Sequence, residues 1–581
     1  MQAAKYFRLA VGAVIALIAL GSLGGCDCNQ AAEDGDDGAE EVEDQDLIAE
    51  EAYQDLEDIE EVEPEDIGPE APTLYFTSGL SGYTEPCGCT ADVLLGGIDR
   101  ITAFMLDVAG LHDEMTLIDA GDWIFEFDEV SEYLQPQEKA KAGVLADAHR
   151  RMGTQMSVPG SKDLAMGVEF YEEMMERANM EAVAVNVELA GQALQGVKTM
   201  EFADQRWALV GATDPNSMDR DIDGVAISDP APAVQEALEG VEADAVVLVY
   251  QGDATAAEAM VNEVEGIDFV IVGHNPRRSN APRTVGASHL LEAYDQGRYV
   301  GRLKLYGGQQ RTESFVDARA GAQEQRQVLE NEKERVRADL RRLDLRTGGQ
   351  ETDLTQRLRE RLEDLEERRA RLMRENLEFP EGRRSFIYDL IPMEPGLRLD
   401  EEIQNRRIEF NMSLAELNAQ IERDPLPVEE GEAFFVGQDQ CATCHGAAHD
   451  FWKETSHASA VETLEVRHKQ YDQNCIGCHV DGWEQPGGSV LGNIKYESEL
   501  RGESFMKDLH EVGCESCHGA GSNHLLEPLD EVGEPQHINR HPTEENCVTC
   551  HVPDHSPTFD FEIYVQEITG EGHEYRGGSG Q

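Results

Sequence analysis

Basic residues are scarce in this 581-residue chain. It has 48 Lys and Arg against 116 Asp and Glu, a formal net charge of −68. So large an acidic excess repels phosphate backbones and anionic lipid headgroups, which excludes nucleic acid as a partner. It suits a basic protein partner, or solubility in salty surroundings. Long apolar stretches are equally sparse. The run from Leu9 to Leu20 is too short to span a bilayer comfortably. Cysteine is also limited, and Cys28, Cys87 and Cys89 are the ones left over from the patterns described below.

What is present gathers at the C-terminus. Cys-x-x-Cys-His occurs four times: Cys441, Cys444 and His445; Cys475, Cys478 and His479; Cys514, Cys517 and His518; Cys547, Cys550 and His551. This is the spacing that c-type haem attachment requires. Two thiols one helical turn apart can add across both vinyl groups of one haem, and the adjacent His offers its imidazole to the iron. Structural zinc is the rival for paired Cys-x-x-Cys, but it gives no reason for a His after every second Cys. The expectation is four covalently bound haem c groups and no divalent metal site beside them. Residues 430–581 hold 13 of the 17 His. Beyond the four proximal ligands, His449, His457, His468, His510, His524, His537, His541, His555 and His573 remain available. That surplus favours bis-His coordination, a closed arrangement suited to electron transfer, whereas an iron with an open face binds small molecules.

The N-terminus indicates export. Lys5 and Arg8 precede the apolar run, which ends in Leu23-Gly24-Gly25-Cys26. This resembles a bacterial lipobox, and the resemblance implies cleavage before Cys26 and lipidation of its sulfur. Two or more acyl chains would hold the chain at a membrane surface in the cell envelope, periplasmic or outward-facing. Residues 31–70 carry 20 Asp and Glu and no Lys or Arg, which reads as a self-repelling tether. The chain then divides into a leader at 1–25, a tether at 26–71, an α/β domain at 72–317, a helical spacer at 318–429 and a haem domain at 430–581.

In the α/β part, β-branched runs at 74–77, 115–119, 182–187, 208–211, 245–250 and 269–273 alternate with helical stretches, notably 134–151 and 163–180. Such alternation predicts a mainly parallel or mixed sheet with polar strand ends forming a site. Gly96-Gly97 with Arg100, Ile118-Asp119-Ala120-Gly121-Asp122, Pro159-Gly160 with Gly167, Asn186-Val187, Val272-Gly273-His274 and Gln296-Gly297 follow in order. Over 73–306 this resembles the 5′-nucleotidase branch of calcineurin-like metallophosphoesterases, whose Asp and His ligands hold two divalent metals. Most ligand positions depart from that pattern: Gly79-Leu80-Ser81, Ser161-Lys162-Asp163, Tyr250 and Asn275-Pro276 replace them. Asp122 and His274 alone survive, too few donors for two ions. The expectation is a sandwich with a degenerate site. Next to the lost first motif lies Glu85-Pro86-Cys87-Gly88-Cys89, whose thiols form either a redox or metal-binding pair or a structural disulfide.

Residues 318–423 read as helices. Leu358, Leu365 and Leu372 recur every seven residues, and Thr347-Gly348-Gly349 divides an antiparallel, coiled-coil-like hairpin of 323–345 and 353–376. A third helix is expected at 400–421, making a spacer or packing arm.

The haem domain also carries Trp452-Lys453-Glu454-Thr455-Ser456-His457-Ala458 and Val512-Gly513-Cys514-Glu515-Ser516-Cys517-His518-Gly519-Ala520-Gly521, followed by His524. These elements resemble the cytochrome c-554 family of tetrahaem proteins. The resemblance implies a mostly helical and irregular fold with distal ligation by His457 and His524. Three functions are consistent with the chain: an electron carrier with redox partner proteins, a redox enzyme acting on a small nitrogen or oxygen species at an open haem, and a phosphoesterase fused to a cytochrome. The first is favoured.

Overall fold

The computed structural model describes residues 70–87, 95–112, 114–202, 205–279, 281–307, 314–347, 352–418, 423–527, 537–552, 555–556, 559–570 and 573. Residues 1–69, on which the expected leader, Cys26 and the expected tether fall, the Cys87 side chain and Cys89 lie outside the described residues. Among those described, no helix is long and apolar enough to cross a membrane.

Two large mixed sheets organise the α/β part. The first, of seven strands, runs Val316–Asp317, Ser385–Pro392, Tyr299–Tyr306, Thr73–Thr77, Met115–Asp119, Met156–Ser157 and Glu181–Ala182. The second, of six, runs Arg283–Val285, Ser288–Leu291, Phe269–Val272, Ala245–Gln251, Gln205–Thr213 and Val197–Phe202. In the first sheet Tyr299–Tyr306 runs antiparallel to both neighbours, and the strands from Thr73–Thr77 to Glu181–Ala182 are parallel. The second is parallel at its centre and closed by antiparallel strands at its edges.

Side-chain alternation explains the layering. In strand Ala245–Gln251, Val247 and Val249 join a core shared with Leu74, Phe76 and Ile118 of the first sheet. Val246 and Leu248 face the other way, onto Val234, Ala257 and Met260 of the helices covering the second sheet. On the far side of the first sheet, helix Ile98–Leu111 turns Ile98, Ile101, Phe104 and Met105 inward, and helix Gln135–Met152 turns Ala142, Leu145 and Ala146. At roughly 25 cal/mol per Å² of apolar surface removed from water, these faces supply most of the stabilisation.

Two expectations change. The run 182–187 is not one strand. Glu181–Ala182 ends in the first sheet, and the chain crosses to the second, where Val185 N bonds Gly211 O at 2.8 Å. Val187–Leu189 then enters a small third sheet. The segment 318–429 is likewise no simple spacer. The hairpin forms from Gln323–Thr347 and Asp353–Glu375, closed by Leu329, Val336, Leu340 and Leu365. Strand Ser385–Pro392 follows it and pairs along the whole of Tyr299–Tyr306, which places Asp389 opposite Arg302. Asp389 also binds Arg319, and all three side chains are buried. The α/β domain therefore extends through helix Glu401–Asn418, whose Phe410 and Leu414 pack on Val144.

The haem region is built from short helices and loops, with one further departure. Lys495–Leu500 and Glu503–Asp508 form an antiparallel hairpin. Arg501 (φ 56°) and Gly502 (φ 79°) are both left-handed, which gives the two-residue turn that matches strand twist.

Candidate haem centres

Each motif starts on a short helix fixed at its first turn. Asp472 caps Gln473–Ile476, accepting from Asn474 N at 3.0 Å, and so fixes Cys475. Thr543 and Asn546 make a capping box in front of Cys547. Inside the third motif, Glu515 is 2% exposed and accepts from Val436 N, Gly437 N and Gly521 N at 2.7–3.0 Å. Gly437 caps the helix carrying Cys441, so Glu515 ties the third motif to the first. The Cys441 thiol lies beside that of Cys514, and the Cys550 thiol beside that of Cys478, and all eight motif thiols are free.

The imidazoles are prepared for a metal. His479 Nδ1 lies 2.5 Å from Ala460 O, His518 Nδ1 2.6 Å from Asn539 O, and His551 Nδ1 3.1 Å from Ser556 Oγ. A ring whose Nδ1 hydrogen is engaged this way presents Nε2 to a metal. Burial lowers the pKa of His479 and of His551, which keeps both neutral as ligation requires. His457, held down to about 4 by burial and then by His551, is neutral too.

Two pairs of rings lie close together, the second with its planes 52° from parallel. His445 and His524 have centres 6.4 Å apart with planes 29° from parallel. His457 and His551 are 6.2 Å apart. Two imidazoles bonded from opposite sides to one metal, each nitrogen about 2 Å from it, have centres roughly 6 Å apart. The residues therefore fit haem iron. His524 Nδ1 is steadied by Glu527 Oε2 at 3.3 Å. His573, which no motif marks in the sequence, has its pKa lowered by burial and then by His518 and His445. His449 is buried beside Trp452, and His510 is bonded to Asp508 at 2.7 Å. His537 and His541 use their backbone N–H groups to bond Glu527 and Asn539.

The second motif is seated on the α/β domain. Gln137, fully buried, donates to Asp472 Oδ1 at 2.7 Å and accepts from Gln473 N and Asn418 Nδ2, each at 3.2 Å. Asn474 Nδ2 donates to Glu138 at 2.8 Å. From the loop before Cys87, Glu85 binds Lys469 at 3.0 Å and Arg407 at 2.8 Å. Burial alone would raise the Glu85 pKa, but Lys469 and Arg407 hold it well below the usual carboxylate range. Tyr83 donates to Glu126 at 3.2 Å and lies 6.4 Å from the His555 ring.

The surviving phosphoesterase-like residues do meet. His274 Nδ1 is 3.3 Å from Asp122 Oδ2. Burial would lower the His274 pKa, yet Asp122 raises it. Asp163 has become a loop staple, accepting from Asp122 N, Trp123 N, Ile124 N and Gly160 N at 2.8–3.1 Å. Lys162 donates to Ser81 at 3.1 Å where the lost ligands would cluster. Gly160 is required here, because a Cβ would sit 2.1 Å from Asp122 Oδ1. Among the described residues, no three His, Cys, Asp or Glu converge as a metal site.

The C-terminal part is similar to multihaem c-type cytochromes, a likeness that implies covalently bound haem c. Residues 440–519 match the family described as cytochrome c554 and c-prime. Cytochrome c-554 of Nitrosomonas europaea is 37% identical over 107 residues, 16% of this chain and 41% of the relative. The chain thus spans about two fifths of the length of the curated relative it matches. In structure, the chain is similar to a 5′-nucleotidase precursor from Thermus thermophilus: TM-score 0.41, 12% identity, 76% of this chain and 88% of the other. It is also similar to the sulfate thiohydrolase SoxB of the same organism: TM-score 0.36, 18% identity, 42% of this chain and 55% of the other. These superpositions are partial, and the two-sheet α/β architecture stands on the strand order described above.

Proposed function

We propose that the chain is a lipid-anchored, exported tetrahaem cytochrome that transfers electrons, carrying an α/β domain that no longer hydrolyses phosphoesters. The close pairs His445/His524 and His457/His551 carry this reading, since two imidazoles spaced for one metal close it to substrate. Bound haem supplies reversible one-electron chemistry. The Cys pairs anchor it, and His445, His479, His518 and His551 serve as proximal ligands. His524 and His457 would be the distal ligands of the first and fourth motifs. Lipidation of Cys26 holds the protein at the membrane, and the acidic surface recruits a basic redox partner.

Low-temperature EPR of the purified holoprotein tests this, together with a pyridine haemochrome count. Four haems are expected, with low-spin signals from those of the first and fourth motifs. A high-spin ferric signal that shifts with nitric oxide, nitrite or hydroxylamine would replace electron transfer by small-molecule chemistry at an open haem. Phosphate release from a nucleotide in the presence of Mn²⁺ or Zn²⁺ would restore the hydrolase reading.

A further inference from the structure

One of the four motifs is physically joined to the α/β domain. Asp472 caps the helix carrying Cys475 and bonds Gln137, while Lys469, six residues before Cys475, binds Glu85. The groups in this seam are charged and withdrawn from water. Side-chain exposure is 12% for Glu85, 16% for Lys469, 7% for Arg407 and 6% for Asp472. Glu138 and Lys141, paired at 2.9 Å, are 3% and 10% exposed. The first and third motifs are instead tied to one another through Glu515.

We propose that the α/β domain now serves to seat the haem of the Cys475–His479 motif and to set its reduction potential with buried charge, a role that rests on the haem reading above. The physical case has two parts. A seam built only for adhesion is served as well or better by apolar side chains, because desolvating ion pairs costs as much as their attraction returns. Buried charges also act over longer range than exposed ones, being weakly screened. Negative charge near a haem disfavours the added electron and positive charge favours it, so charge and burial are two of the levers a protein has on haem potential. The phosphoesterase-like fold lost its ligands while Glu85, Gln137 and Glu138 were placed against the second motif. Its scaffold is used for electrostatics.

The test is a potentiometric titration of the full-length holoprotein, resolving the haem components by EPR and visible absorption. Glu85→Gln keeps the side-chain shape and an acceptor for Asn411 while removing one negative charge. One component is expected to shift to higher potential, with the other components unmoved. Lys469→Gln removes a positive charge and should shift the same component to lower potential. Opposite signs exclude loosening of the fold, which would move both variants the same way. In Cys475→Ala/Cys478→Ala, the responsive component should be missing. A protein with all its haems that shows no shift, shifts of one sign in both variants, or a shift spread over every component overturns the proposal and leaves the cytochrome intact. A protein that carries no haem on the second motif overturns both.

Discussion

Gln137 is the most informative single residue in the contact between the two halves. It is fully buried, and its amide satisfies partners on two other elements: Asp472 at 2.7 Å, Gln473 N at 3.2 Å and Asn418 Nδ2 at 3.2 Å. Gln137→Leu keeps most of the volume and removes these three bonds, along with a longer one to Glu138 Oε1 at 3.5 Å. The bond to the carboxylate is worth about 1.5–3 kcal/mol and the two neutral ones about 1 kcal/mol each. Asp472 still accepts from Asn474 N, and Asn418 still donates to Tyr471 O at 2.6 Å, so part of the cost is recovered. The net loss is about 3 kcal/mol, roughly a hundredfold in the equilibrium for opening the seam. Hydrogen exchange by mass spectrometry over residues 467–476 reads this directly, because Gln473 N and Asn474 N are held by the seam and its cap. Protection there should fall about a hundredfold while strand Ala245–Gln251 is unchanged. A change under threefold would refute the reasoning. A double-mutant cycle with Asn418→Ala should show a coupling of roughly 1 kcal/mol between the two amides.

Removing Asp389 leaves the buried guanidiniums of Arg302 and Arg319 without their carboxylate, so Asp389→Ala should cost about 3–5 kcal/mol in urea unfolding followed by far-UV circular dichroism, and a loss under 1 kcal/mol would contradict the charge pairing. Burial lowers the pKa of His149 to about 3. The unfolded chain therefore takes up a proton between about pH 6.5 and 3 that the folded chain refuses, and stability falls as pH drops through that window. His149→Gln should flatten the pH 4–6 part of the stability profile, and an unchanged slope would show that another group titrates there. His524→Ala and His457→Ala should each convert one low-spin ferric signal to high spin, and an unaltered EPR spectrum would dismiss the distal assignment.

Local patterns were legible and long-range partnerships were not. The strands Met115–Asp119 and Ala245–Gln251 and both arms of the helical hairpin follow from runs and heptads, because neighbours in sequence decide them. The four haem motifs are equally local. Strand Ser385–Pro392 was hidden by the arginine- and glutamate-rich hairpin before it, although its run Phe386-Ile387-Tyr388 is β-prone. Its partner lies about eighty residues upstream, and no periodicity reports that pairing. The family resemblance singled out His457 and His524, but which proximal ring each lies beside depends on the fold. Asp163 had no role assigned from the sequence, and only the backbone geometry shows it clamping the loop that carries Asp122.

The helical hairpin leaves the sheet after Val316–Asp317 and returns to it at Ser385–Pro392, two neighbouring strands. It is therefore an insertion into a closed sheet edge, and its ends are held together whatever its length. Doubling such a loop costs only about 0.6 kcal/mol in closure entropy. Heptads can be added to or removed from its outer end in pairs without disturbing the α/β core or any Cys-x-x-Cys-His motif, so this arm is where the chain can change its reach while the spacing of those motifs is kept.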